Sequence, residues 1–158
     1  MKSYLLDTYF FNINTLKLNL RQVKIILRIS MIKIKRIYEP VDEEDGFRIL
    51  VDNLWPHGIS KENAQIDLWL KELAPSNNIR KWFAKDMNQW PEFQKKYLQE
   101  LKNKKTLIKL IKDIEHKNKN VTIVYSTDDE QHNNAVVLRD KLNNYKTINA
   151  QISRIHGA

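Results

Sequence analysis

The sequence has no cysteine, only three glycines and only four prolines in 158 residues. Without cysteine there is no disulfide framework, iron–sulfur cluster, thiolate zinc site or cysteine nucleophile, and a reducing cytoplasm is the expected compartment. Gly46, Gly58 and Gly157 are too scattered for a G-x-G-x-x-G turn or a P-loop, which excludes the two commonest nucleotide cradles. No G-x-S-x-G surrounds Ser60, Ser76 or Ser126, so a serine-hydrolase elbow is absent. His57, His116, His132 and His156 show neither H-x-x-x-H nor H-E-x-x-H spacing, and no metal site is expected. Asp7, Lys17, Arg21, Lys24 and Arg28 interrupt the apolar N-terminal stretch, so neither a signal peptide nor a membrane span fits it.

Hydrophobic residues at 42% and charged residues at 29% place the chain among globular proteins, at a length suited to one domain. The net charge of +8 points to nucleic acid until it is divided along the chain. Residues 1–30 carry five basic groups against Asp7, and the residues after Asn143 add Lys146 and Arg154. Between Met31 and Asn143 stand 20 basic and 18 acidic side chains, an ordinary mixed surface. The cluster Lys102, Lys104, Lys105, Lys109 and Lys112 reads as the wet face of a helix, with a nucleic-acid contact as the alternative.

Met31 opens an alternation of Ile32 and Ile34 with Lys33 and Lys35, the period of a strand. Residues 1–30 are read as an extension outside the fold, either upstream translation or a weakly ordered segment, and residues 144–158 as a tail. The acidic turn Asp42–Gly46 precedes a second strand, Phe47–Val51, whose nearly continuous apolar character predicts cover on both faces. Leu68, Trp69, Leu70 and Leu73 predict a short helix ended at Pro75. Ser76 is a candidate cap for Ile79–Phe83. Asn88 is a candidate cap for a longer helix with Pro91 in its first turn and Phe93, Tyr97, Leu98 and Leu101 on one face. Leu107, Ile108, Ile111 and Ile114 repeat that spacing, Val121–Tyr125 is the last strand, and Ala135–Leu142 a closing helix. One α/β domain over residues 31–143 results, with a small, mainly parallel sheet flanked by helices.

Two segments share one construction, an apolar strand followed by a polar loop and a helix. If their strands are parallel neighbours, the loops Asp52–Gly58 and Ser126–Asn134 both emerge at the carboxyl edge of the sheet, where ligands of open α/β folds bind. Asp52 there is either a general acid or base with its pKa raised by burial, or a loop cap. His132 stands near a helix N-terminus, which favours neutral imidazole beside an anion; its plainer role is packing or capping. Asn133 and Asn134 add donors and acceptors in the same turn. Trp55 stacks on a ligand or packs in the core, His57 lies in the first loop, and Arg80 is either a pocket cation or an exposed helix residue.

The segments Lys35-Arg36-Ile37-Tyr38, DGFRILVDNLWPHGISK, LWLKELAPSNNIRKWF and VTIVYSTDDEQHNNAVVL resemble the YeaO-like branch of the bacterial family called domain of unknown function 488. The resemblance covers about residues 31–143 and rests on D-G-[FY]-R, L-W-P-x-G, L-A-P-S and H-N-N-A as an ordered set. It implies a small cytoplasmic α/β protein and no assigned reaction or cofactor. Its motifs fall on Arg36, Arg48, Asp52, Trp55, Pro56, Gly58, Pro75, Ser76, Arg80, His132, Asn133 and Asn134. Asn53 and His57 stand where arginine is common in that branch, which removes two bidentate donors.

Together these readings predict a pocket for a small polar or anionic ligand. If it is catalytic, Asp52 and His132 are the acid–base pair, Asn133 and Asn134 position the ligand, and Arg36, Arg48 or Arg80 stabilise charge. Ser126 and His57 complete the expected lining. The alternative is a non-catalytic nucleic-acid or protein-binding module.

Overall fold

The computed structural model describes residues 31–144, and in it the alternation after Met31 becomes strand β1 (Met31–Arg36). With β2 (Phe47–Leu50), β3 (Leu68–Trp69) and β4 (Asn120–Tyr125) it forms a sheet of order β1-β4-β2-β3 in which every pairing is parallel. The helices are α1 (Lys61–Ala64), α2 (Asn77–Phe83), α3 (Trp90–Leu101), α4 (Lys105–Asn118) and α5 over residues 134–144. This is the α/β arrangement that the alternation of strand and helix patterns predicts. Among the described residues no helix is long and apolar enough to cross a membrane. The expected extension, residues 1–30, and residues 145–158 of the expected tail lie outside the described residues.

Register decides the faces, because residues paired across neighbouring strands project to the same side. Ile32 pairs with Val121 and Ile49 with Ile123, and these side chains join Tyr97 and Leu101 of α3, Ile108 and Ile111 of α4, and Leu138 and Leu142 of α5 in the main core. On the other face Leu50 pairs with Val124, and both pack with Ile37, Ala64, Trp55, Ile59 and Ile66. Strands β2 and β4 are therefore covered on both sides, which is why most of their residues are apolar.

Charge is also buried on that second face. Asp45 accepts from Lys35 Nζ at 3.0 Å and Arg48 Nη1 at 2.5 Å, while its carbonyl accepts from Thr122 Oγ1 at 2.7 Å. Burial works against the charge of Asp45, but the Lys35 hydrogen bond, the Asp42 amide and the Arg48 charge hold its carboxyl below the usual range. Gly46 follows at φ +64°, and a Cβ there would collide with the Asn120 carbonyl.

Three local expectations are corrected. Leu68–Leu73 is a strand and a 3-10 turn (Lys71–Leu73), not a short helix. The Asp67 amide donates to Arg48 O at 3.0 Å and the Leu70 amide to Leu50 O at 2.9 Å, so pairing along the edge of β2 overrides helical spacing. Asp86, rather than Asn88, supplies the cap ahead of α3, through a bond from the Asn88 amide at 3.0 Å that closes the 3-10 turn Met87–Gln89. Leu98 is 37% exposed, because Phe93, Tyr97 and Leu101, spaced by four, already fill the buried stripe of α3.

Candidate functional site

Strands β2 and β4 are adjacent and parallel, with Leu50 opposite Val124, so the loops that follow them leave the sheet side by side. The first runs through Asp52, is turned by Pro56 and Gly58 at φ +76°, and is pinned where Trp55 Nε1 donates to Ile59 O at 2.9 Å. Tyr38 Oη donates to His57 O at 3.0 Å and ties the connection after β1 to it. In the second loop Asp129 Oδ1 accepts the amides of Gln131 and His132, both at 2.8 Å, an Asx turn. Asn133 then caps α5: its Oδ1 accepts the Val136 amide at 3.0 Å while its Nδ2 donates to Asp129 O at 2.8 Å. Asn134 Nδ2 donates to Val51 O at 3.0 Å, which joins the two loops.

Between these loops and the segments carrying Ala74, Pro75, Phe83, Met87 and Phe93 lies a cavity of about 460 Å³. Asp52, Trp55, His57, Arg80, Ser126, His132, Asn133 and Asn134 all line it, so the structure gathers eight of the sequence-derived candidates in one place. Arg36 and Arg48 are not among its lining residues. Arg36 lies outside and braces the second loop, donating to Thr127 O at 3.1 Å and pairing with Asp128. Arg48 is only 2% exposed and is engaged by Asp45 and by Ala64 O at 3.2 and 3.3 Å. The motif position at Arg48 thus serves the packing of β2 against α1, because a guanidinium on a covered sheet face needs its partners within the fold.

Asp52 is the electrostatic centre of the cavity. Burial pushes its carboxyl above the usual range; hydrogen bonding from Ser126 and Asn134 and the charge of Arg80 oppose the rise without cancelling it. Its Oδ2 is buried with no hydrogen-bond partner among the described residues, an arrangement that costs about 1–3 kcal/mol in a folded protein. Arg80 has Nη2 on Asn77 Oδ1 at 2.8 Å and is otherwise exposed.

His132 Nδ1 lies 3.0 Å from Asp129 Oδ2, and its ring meets Trp90 edge-on at 5.1 Å. A neutral imidazole that donates from Nδ1 to this carboxylate leaves Nε2 as its acceptor. The amide of His132 leads the interactions that hold the Asp129 carboxyl below the usual range. Asp129 is a site residue that sequence reasoning missed, although the Asp-x-x-His spacing that builds it is readable. Phe83, Met87 and Phe93 were also missed, and no local signal marks them: helix packing alone brings them to the edge. Among the described residues no group of three or more metal-ligating side chains occurs.

The lysine cluster is partly absorbed by the fold. Lys104 Nζ donates to Ala74 O at 3.2 Å, Lys112 pairs with buried Glu115 at 2.5 Å, and Lys109 pairs with Asp113 at 2.8 Å.

The family model of the inactive DUF488-N3 subclade matches residues 31–153. The uncharacterised protein YeaO of Escherichia coli K12 is 40% identical over 111 residues, which cover 70% of this chain and 96% of that one. The uncharacterised protein Rv3073c of Mycobacterium tuberculosis H37Rv is 37% identical over 87 residues, 55% of this chain and 74% of that protein. No solved structure matches.

Proposed function

The chain belongs to the DUF488 family, in its inactive N3 subclade, and on that premise we propose that the carboxyl-edge cavity binds a small polar ligand without transforming it. The observation that carries this reading is the Asp52 carboxyl: a buried oxygen with no hydrogen-bond partner among the described residues, on the wall of a cavity large enough for a small molecule. A ligand N–H or O–H would satisfy it. The side chains that a reaction would use to position a substrate are engaged elsewhere, Asn133 as a helix cap and Asn134 on the Val51 carbonyl. That engagement and the family's description both favour binding over turnover. A purely anionic ligand would meet the Asp52 charge, so a donor-bearing polar molecule fits better than a simple anion.

We place the functional unit in residues 31–143, and the cysteine-free composition fits a cytoplasmic setting. The lysine contacts weigh against the nucleic-acid alternative, since phosphate binding needs those cations at the surface.

A thermal-shift screen of the full chain against amino acids, sugars, nucleotides, phosphates and divalent metals tests the proposal. A ligand at about 100 times its Kd stabilises the fold by about 2.7 kcal/mol. The expected result is a shift that Asp52→Asn or His132→Ala removes; no shift from any class, with folding confirmed by circular dichroism, rejects the reading.

A further inference from the structure

Asp52 and Arg80 line the same cavity with opposite charge, and neither forms an ion pair among the described residues. The Arg80 charge favours the ionised form of Asp52 but does not offset its burial. Two charges of opposite sign on one cavity wall are best satisfied by a solute that carries both signs, because one charge-assisted contact then serves the buried Asp52 oxygen and the other the exposed Arg80 guanidinium. A sugar could hydrogen-bond to both groups but brings no charge to either, and an inorganic anion would match Arg80 while repelling Asp52. Beside this polar pair the cavity offers an apolar wall, where Leu54 is 65% and Met87 52% exposed and Trp55 presents its ring. The volume of about 460 Å³ falls in the lower half of the roughly 300–1,000 Å³ of small-molecule sites.

We infer, resting on the ligand-binding reading above, that the cavity takes an α-amino acid zwitterion with a large apolar side chain. Its ammonium meets Asp52, its carboxylate meets Arg80, and its side chain lies along Trp55, Leu54 and Met87. The ammonium supplies the N–H that Asp52 Oδ2 lacks. The carboxylate takes guanidinium donors of Arg80 other than the nitrogen bound to Asn77.

Calorimetric titration of the full chain with L-phenylalanine, phenethylamine and 3-phenylpropionate tests this, since the three probes share a ring and differ in their charged groups. L-Phenylalanine is expected to bind at least about tenfold more tightly than either singly charged probe, the scale of one charge-assisted hydrogen bond. Arg80→Gln, at an exposed position, should erase its advantage over phenethylamine, and Asp52→Asn its advantage over 3-phenylpropionate. Equal binding of the three probes, or binding of none, overturns the zwitterion. If another class in the thermal screen still gives a shift that depends on Asp52, the ligand-binding reading survives that failure; if none does, both fall.

Discussion

Asp129 holds His132 twice, accepting its backbone amide at 2.8 Å and standing 3.0 Å from its imidazole Nδ1. One carboxylate therefore shapes the turn and orients the ring it presents to the cavity. Because these contacts favour its charged form, the folded pKa of Asp129 is depressed. The stability it contributes is present above the ordinary carboxylate value of 3.8 and is lost as pH falls through the lower folded value. Asp129→Asn should make the acid-side loss of stability below about pH 4 shallower. Melting temperatures of both proteins across pH 2–6 check this, and parallel curves would contradict it.

Asp52 carries the opposite sign. Its folded pKa is raised, so the folded state holds its proton more tightly, and stability declines as pH rises from the ordinary carboxylate value of 3.8 to the folded value. Asp52→Asn removes a charge whose burial is unfavourable. The variant should melt higher than wild type at neutral pH, by a margin that shrinks as the pH approaches 3. A variant that melts lower at pH 7 would show that hydrogen bonding to the carboxylate outweighs its burial.

Arg48→Ala should destabilise the fold by about 3 kcal/mol, the lower end for breaking a buried ion pair, since Lys35 remains to hold Asp45. Urea denaturation measures the loss. Ligand affinity at the cavity should be unchanged in the folded fraction, because Arg48 is not among the lining residues. A selective loss of binding with unaltered stability would return Arg48 to the site.

Gly46→Ala combines a positive φ with a collision against the Asn120 carbonyl, so it should cost about 2 kcal/mol or more. Gly58→Ala has the same sign of φ but no described residue within 4 Å of its added carbon, and should cost less, about 1 kcal/mol. Chemical denaturation of the pair separates steric collision from backbone preference; equal losses would mean that φ alone matters at both glycines.

Legibility in the sequence followed the range of the interactions. The Ser76 cap, the Asp-Gly turn and the apolar runs of β2 and β4 are local signals, and each stands where the pattern placed it. Leu68–Trp69 misled because four apolar residues within six look helical, while a strand of two residues exists only by pairing with the edge of β2. Asp129 was readable from its spacing to His132. Arg48 was legible as a motif position, but its location was not, because register assigns it to the covered face with Asp45 and Thr122.

An α/β unit with two polar loops following apolar strands is legible in the chain's local pattern, because turn chemistry, capping and periodicity act over a few residues. The tertiary structure decided that β4 enters between β1 and β2, and this brings the two loops to a common edge. It also decided which charges find partners. Arg48 meets Asp45 across a covered face, while Asp52 and Arg80 line one cavity without an ion pair among the described residues. Whether a charge is matched depends on groups distant in the chain, and only folding brings those groups together.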